Sequence, residues 1–415
     1  MAAADIDRVL VRAARRFGTP LHLTDAAGLA SAAEELREAF PDPWLRAFSV
    51  KANDVPAVIG RLADLGLDAN VVSRGEWAAA RAAGLTNDRI TLEGIGKDAG
   101  DLRAAVRAAA DGAPLRWLAV ESPEELDALV AIGGRAGLGR GGRPALEVLV
   151  RLNPDVAPET HSGLAVGAGS SKFGMTETEL TGAVASLGEG GPVRARGIHL
   201  HVGSQLGAVD AWRDAVRRGL ALLALIGAGR QGFDTLDVGG GFPVGEPGTV
   251  PAPARFAREI APLLRALPAD RRPGRLAVEP GRFLVARAGW LVASVLHVRD
   301  RGTAERVVVL DAGMTELIRP ALYGAHHRIT ALTSLGVAVD ATSVRFTARV
   351  DGPVCESTDT LDRHELPALR RGDLVAIADA GAYAASMAMT YNGRRRPPQV
   401  MLEPDGSLTL ARRRG

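Results

Sequence analysis

The chain has 415 residues, 47% of them hydrophobic, with 50 basic against 48 acidic side chains. That is enough apolar material for a large core and suggests two domains, while the near-even charge argues against a nucleic-acid-binding face. The arginine clusters Arg394–Arg396 and Arg412–Arg414 are expected to be solvated surface. One cysteine, Cys355, excludes a disulfide-stapled secreted fold. No stretch approaches ~18 charge-free apolar residues, and the first turns, MAAADIDRVLVRAARRFG, lack the apolar centre of a secretory signal. A cytoplasmic enzyme is the expectation.

In chain order, TPLHLTD predicts an early strand. Eight apolar, β-branched runs follow: Arg46–Val50, Asp68–Val72, Ile90–Leu92, Arg116–Val120, Leu146–Leu152, Gly197–His201, Thr235–Val238 and Arg275–Val278. Helical patterns fall between them at Glu76–Ala83, Asp98–Ala109, Pro123–Ile132, Glu177–Ser186 and Trp212–Ala228. Alternating strands and helices imply parallel pairing through right-handed crossovers. Eight repeats in about 250 residues predict a (β/α)8 barrel. An open doubly wound sheet is the rival, weakened because no G-x-G-x-x-G follows an early strand. Gly133–Gly142 (GGRAGLGRGG) predicts a surface loop. Beyond Arg282 the rhythm changes: WLVASVLHVRD, ERVVVLDAG, VRFTARVDGPV and DLVAIADAG read as strands without long helices. The fold class is therefore α/β, a (β/α)8 barrel over residues 25–283. A second, mainly β domain (barrel or sandwich) is built from residues 1–24 and 284–415.

In a parallel barrel the reacting groups gather at the C-terminal ends of the strands. Lys51 follows strand one, and a neutral lysine amine can form a Schiff base. His201 and Ser204 follow strand six. Gly239, Gly240 and Gly241 follow strand seven, where bare backbone N–H groups can approach a phosphate. Glu279, Gly281 and Arg282 follow strand eight, and a carboxylate there can hold a proton on a pyridine nitrogen. Each motif alone has a bland reading: a strand-end lysine, a tight turn, a surface ion pair. Their convergence on one face carries the inference. His199 and His201 sit at i, i+2, but no third ligand has metal-site spacing, so no metal is expected. His326 and His327 diverge as neighbours and are not read as ligands. Cys355, a small buried hydrophobe by default, stands beside Glu356 and the turn Gly352–Pro353, which points to exposure and function.

Taken together, SVKAN, HVGSQ, DVGGGFP, EPGRFLVARAG, DAGMTELIRPALYGA, GPVCESTD and GAYAASMAMTYNGRRRP resemble the fold-type III decarboxylases that use pyridoxal 5'-phosphate (PLP), and among them the diaminopimelate decarboxylase family. The resemblance spans nearly the whole chain. It implies that Lys51 carries PLP as a Schiff base and that His201 stacks on the ring. Ser204, Gly239–Gly241, Gly281, Arg282 and Tyr383 would hold the phosphate, and Glu279 would meet the ring nitrogen. Arg319 and Tyr323 would bind the distal carboxylate of the substrate, with Arg282 and Tyr383 also bordering it. Glu356 would meet the distal ammonium, and Cys355 would donate a proton at the reacting carbon. It further implies a homodimer whose sites are shared between subunits. The implied reaction is decarboxylation of meso-diaminopimelate to L-lysine in amino-acid biosynthesis, or of another ω-substituted amino acid in secondary metabolism. An alanine-racemase-like activity is disfavoured, since such enzymes face the ring nitrogen with arginine. A catalytically dead homologue is disfavoured by Lys51, Glu279, Arg282 and Cys355. The chain departs from the family pattern at Asp54, at Leu92–Lys97 (LEGIGK, where many members have His-Gly-Asn-x-Lys) and at His161–Gly169. The last two loops follow barrel strands and can border the substrate.

Overall fold

The computed structural model describes residues 3–246, 248–300, 306–332 and 343–415. Glu305, which opens the segment ERVVVLDAG, lies outside them. The chain forms two compact units: Ala32–Lys51 with Ile59–Phe283, and Met1–Ser31 with Ala52–Val58 and Leu284–Gly415.

The first strand of the chain, β1 (Leu21–Asp25), belongs to the second unit. The first unit holds β2 (Leu45–Ser49), β3 (Asp68–Val71), β4 (Ile90–Leu92), β5 (Trp117–Val120), β6 (Leu146–Arg151), β7 (Val193–His199), β8 (Thr235–Asp237) and β9 (Arg275–Val278). These pair in parallel in chain order and close into a barrel, with β2 against β9 and Leu45 opposite Ala277. All eight strands therefore end at one face. Capped helices begin soon after several of them. Ser73 and Ser122 accept the backbone N–H of Glu76 and Glu125, and Asp98 with Asp101 and Thr176 with Glu179 form reciprocal capping boxes. Such caps satisfy orphan N–H groups and fix where each helix starts.

Two expectations differ in detail. The sixth barrel strand starts at Val193, four residues before the expected Gly197. Its first residues alternate buried valine and alanine with outward arginines, and Arg196 pairs with Glu147 on β6 at 3.1 Å. That half-charged alternation reads as loop in sequence. The GGRAGLGRGG segment is not wholly a loop, because the helix Pro123–Arg135 runs through its first two glycines. Gly133 is buried there, and a Cβ would meet Pro192 at 3.1 Å, so close packing rather than turning explains the residue.

The second unit adds β10 (Gly289–Asp300), β11 (Arg306–Leu310), β12 (Ile329–Leu332), β13 (Arg345–Asp351), β14 (Thr360–Pro367), β15 (Leu374–Ile377), β16 (Gln399–Leu402) and β17 (Leu408–Arg412). With β1 they form a mixed sheet whose main path runs β14-β13-β11-β10-β1-β16-β17. TPLHLTD supplies β1, antiparallel to β10 and parallel to β16. The long strand β10 alternates its faces. Leu291, Ala293 and Val295 enter a core with Leu310, Val350 and Ile377. Val292 enters another core with Leu21, Leu23, Val400 and the helix residues Leu10 and Val11. Period-two alternation in one strand thus serves two cores. No described helix is long and apolar enough to cross a membrane.

Candidate active site at the C-terminal ends of the barrel strands

Lys51 lies in a single 3-10 turn, Val50–Ala52, directly after β2, and is half-buried. Ser49 anchors that turn by donating its backbone N–H to the Pro280 carbonyl at 3.0 Å. The loops after β2 and β9 are thereby joined.

The glycine loop after β8 is fixed by close approach. Gly239 and Gly241 have φ of 67° and 106°, which side-chain-bearing residues rarely adopt. At Gly240 any Cβ would strike the Glu279 carbonyl. Only backbone can occupy this place, leaving a cradle lined with peptide groups. The Gly239 N–H donates to Asp237 Oδ1 at 2.9 Å, and the Gly240 N–H approaches His201 Nδ1 at 3.3 Å. Beside the loop, Arg282 Nη2 donates to Ser204 Oγ at 3.1 Å. Arg282 is buried, as are Gly239, Gly240 and Gly281. Ser204, the three glycines and the Gly281–Arg282 turn, expected to act together, are brought together around this loop.

Glu279 sits one residue beyond β9, buried, its backbone N–H bonded to the Gly239 carbonyl at 2.9 Å. Its carboxylate accepts a hydrogen bond from the Asn70 amide and lies 3.3 Å from His199 Nε2. His199 in turn lies 3.3 Å from Glu93, the residue just past β4. Burial holds His199 neutral, lowering it to about 4, with Arg151 and Lys51 adding to the effect and Glu93 opposing it. Burial and then Lys51 hold His201 well below the usual imidazole range. Burial and the Glu279 charge push the Asp237 carboxyl well up. Behind this group, Arg151 pairs with Glu121 at 2.5 Å, both buried. Lys97 is buried against Glu125 at 3.0 Å.

The sequence reading placed His199 and His201 on one strand face. The strand instead ends at His199, so His199 points into the barrel while His201 belongs to the following loop. Asn70, Glu93, Asp237 and Arg151 were not singled out from sequence. A usable signal was there: each is a polar residue at or near the C-terminal end of a barrel strand. The divergent loop His161–Gly169 is tied to Ser204. The Ser204 N–H donates to the Leu164 carbonyl at 3.2 Å, and the neighbouring Thr160 hydroxyl donates to the Ser204 carbonyl at 2.6 Å.

The remaining expected residues lie in the second unit. Arg319 opens the short helix Arg319–Tyr323, so Tyr323 is at its other end. Arg319 Nη1 donates to Nε2 of buried His327 at 3.0 Å, and His327 Nδ1 donates to the Ala378 carbonyl at 3.0 Å. His327, read from sequence only as a non-ligand, thus orients Arg319. Cys355 and Glu356 are exposed in the turn after β13, and the Tyr391 hydroxyl donates to Glu356 at 2.5 Å. Tyr383 has φ of 56°, a left-handed backbone held by its N–H bond to the Ala52 carbonyl at 2.8 Å. Such strain in a bulky residue concentrates at functional sites.

A family model described as "Pyridoxal-dependent decarboxylase, pyridoxal binding domain" matches residues 26–286. Among curated relatives, a diaminopimelate decarboxylase of Deinococcus radiodurans is 36% identical, over 94% of this chain and 91% of its own. One of Aquifex aeolicus is 34% identical, over 97% of this chain and 90% of its own. Among solved structures, diaminopimelate decarboxylase of Helicobacter pylori in complex with L-lysine superposes with a TM-score of 0.85 at 30% identity, covering 95% of this chain and 94% of that one.

Proposed function

Since this chain belongs to the pyridoxal-dependent decarboxylases, we propose that it converts meso-diaminopimelate to L-lysine and CO2, with Lys51 as the point of attachment for PLP. The observation that carries the reading is the assembly at one barrel end of an amine, a phosphate-sized glycine cradle and a buried carboxylate. These are the three features that a flat anionic aldehyde with a basic ring nitrogen requires. Bound PLP supplies the electron sink for loss of the α-carboxylate.

The residues supply binding, orientation and protons. Lys51 Nζ would carry the covalent link. The Gly239–Gly241 backbone, with Ser204, Gly281 and Arg282, would hold the phosphate, and Tyr383 is assigned to it on the motif resemblance. His201, kept neutral, offers a flat face for stacking without competing for the phosphate as a cation. Glu279 holds a proton at the ring nitrogen, which an ionised carboxylate can do only where water does not screen it. Arg319 offers a planar fork to the distal carboxylate, steadied by His327, with Tyr323 one helical turn further on. Glu356 is assigned to the distal ammonium, and Arg282 and Tyr383 also border the substrate. Cys355 Sγ is assigned to deliver a proton to the product carbon. The exposure of Cys355 and Glu356 supports a homodimer in which these two residues serve the neighbouring copy, and a cytoplasmic location is assigned on the motif resemblance.

A second reading keeps the chemistry and changes the substrate. The hydrogen bonds of Ser204 with the Leu164 carbonyl and with the Thr160 hydroxyl favour it, because they tie the divergent loop His161–Gly169 to the cofactor loop. A panel of meso-diaminopimelate, lysine, ornithine and other ω-substituted amino acids, assayed for CO2 and amine with added PLP, separates the two. Preference for meso-diaminopimelate is expected. Preference for a substrate without a distal carboxylate would leave only the decarboxylase class standing.

A further inference from the structure

The barrel interior holds more acid than a single ring-nitrogen partner needs. Glu93, Asp237 and Glu279 are all buried, Asp237 completely. Glu93, His199 and Glu279 each present an atom within 4.8 Å of the others. The groups facing Glu93 come from four strands: Asn70 on β3, His199 on β7, Asp237 on β8 and Glu279 after β9. Asn70 gives its amide to Glu279, and His199 is neutral with one N–H to share between two carboxyls 3.3 Å away on either side. Of the cations in this part of the barrel, Arg151 pairs with Glu121, and Lys97 with Glu125 and the Gly94 carbonyl. Ionising both members of an adjacent buried carboxyl pair is strongly disfavoured, because like charges repel in a poorly screened interior and burial penalises charge.

We propose that Glu93 is a proton-holding positioning residue, a neutral carboxylic acid that donates a hydrogen bond to Glu279 and leaves Glu279 as the ionised partner of the ring nitrogen. This rests on the reading of Glu279 given above. The assignment of the proton to Glu93 follows from the partners. Asn70 faces both carboxyls, but its amide hydrogen bond is made to Glu279, which stabilises that anion, whereas Glu93 Oε1 is buried with no hydrogen-bond partner, a poor setting for a charge. Burial first, and then the Glu279 charge, push Glu93 up to about 8, in agreement. The same residue falls within LEGIGK, where the chain leaves the family pattern. The variation therefore reaches the group that sets the charge of the cofactor's partner.

Infrared difference spectroscopy between wild type and Glu93→Gln tests this on the full-length protein, with and without added PLP. The expected result at pH 7 is a protonated-carboxyl carbonyl band in the wild-type-minus-variant difference, shifted in D2O, the contribution of Asp237, also raised, being common to both proteins. Absence of that difference band overturns the proposal. Glu93→Gln retains a donor and should keep PLP affinity near wild type. Glu93→Ala should weaken it roughly ten- to hundredfold, the loss expected for a hydrogen bond to a charged group. Equal weakening by both variants counts against the proposal. A divalent cation bound by the metal-free protein at neutral pH and lost in Glu93→Gln also overturns it, because that requires Glu93 ionised. Failure of the PLP reading itself appears separately, as no covalent cofactor on Lys51 with the infrared band unchanged.

Discussion

The two units bury their polar groups in different settings. The second unit packs leucine, valine, isoleucine and alanine on both sides of one sheet and buries Glu316, His327, Asp359 and His364, each hydrogen-bonded to backbone, while Cys355 and Glu356 lie in the open. The barrel unit buries Asn70, Glu93, Glu121, Arg151, His199, Asp237, Glu279 and Arg282 near the ends of its strands. Burying charged groups opposes folding unless they are paired, protonated or matched by a ligand. The contrast teaches where to look. The barrel carries a polar interior that folding alone does not call for, so that interior is built for something it binds. The second unit displays Cys355 and Glu356 at its surface.

The largest effect expected from this contrast is complementation. Lys51→Ala and Cys355→Ala chains should each be inactive. Mixed under conditions of verified subunit exchange, they should regain activity, because a mixed dimer carries one intact composite site. No recovery after exchange would mean that Cys355 serves its own chain, and the two regions would then differ in burial but not in partnership.

A smaller effect is expected at Arg319. Removing the guanidinium leaves the distal carboxylate without its fork, a loss of roughly 1.5–3 kcal/mol for a charged hydrogen bond. Arg319→Ala should lower kcat/KM for meso-diaminopimelate by about ten- to two-hundredfold. Weak turnover of lysine and ornithine should barely fall. His327→Phe should reproduce part of the loss, since His327 holds Arg319 in place. Equal losses for all substrates would move Arg319 from specificity to fold.

How much of this was legible in the sequence follows from contact range. A βα repeat is local, so the barrel strands stand out as short apolar runs between helices, and chain order is also spatial order. β7 began out of sight because Arg194 and Arg196 alternate with its buried residues. The sheet depends on distant partners, as in Leu21 opposite Val292 and His22 opposite Gln399, and no local pattern encodes those pairings. Among site residues, Lys51, the glycines, Glu279 and Arg282 stood out because they sit in recognisable motifs. Asn70, Glu93 and His327 did not. Their roles depend on which side chain faces them across the fold, and a single sequence does not carry that.

The smallest effect concerns pH and the barrel interior. Glu93 is raised from 4.5 to about 8 in the folded chain. The folded state therefore binds this proton where the unfolded state has released it. Its contribution to stability is fully present below about 4.5 and is lost as pH rises through about 8. Denaturation of the cofactor-free protein should show stability falling across that window. Glu93→Gln should flatten the fall. Asp237, also pushed up, should keep part of the slope. An identical slope in wild type and variant would show that Glu93 is not the group that holds the proton.

The central claim is that the barrel's polar interior exists to hold PLP on Lys51. The most direct measurement is borohydride reduction of the purified, PLP-loaded protein followed by peptide mapping. The account predicts loss of the visible absorbance and one phosphopyridoxyl group, on the peptide containing Lys51. Attachment at Lys97 or Lys172, or no attachment, would contradict it.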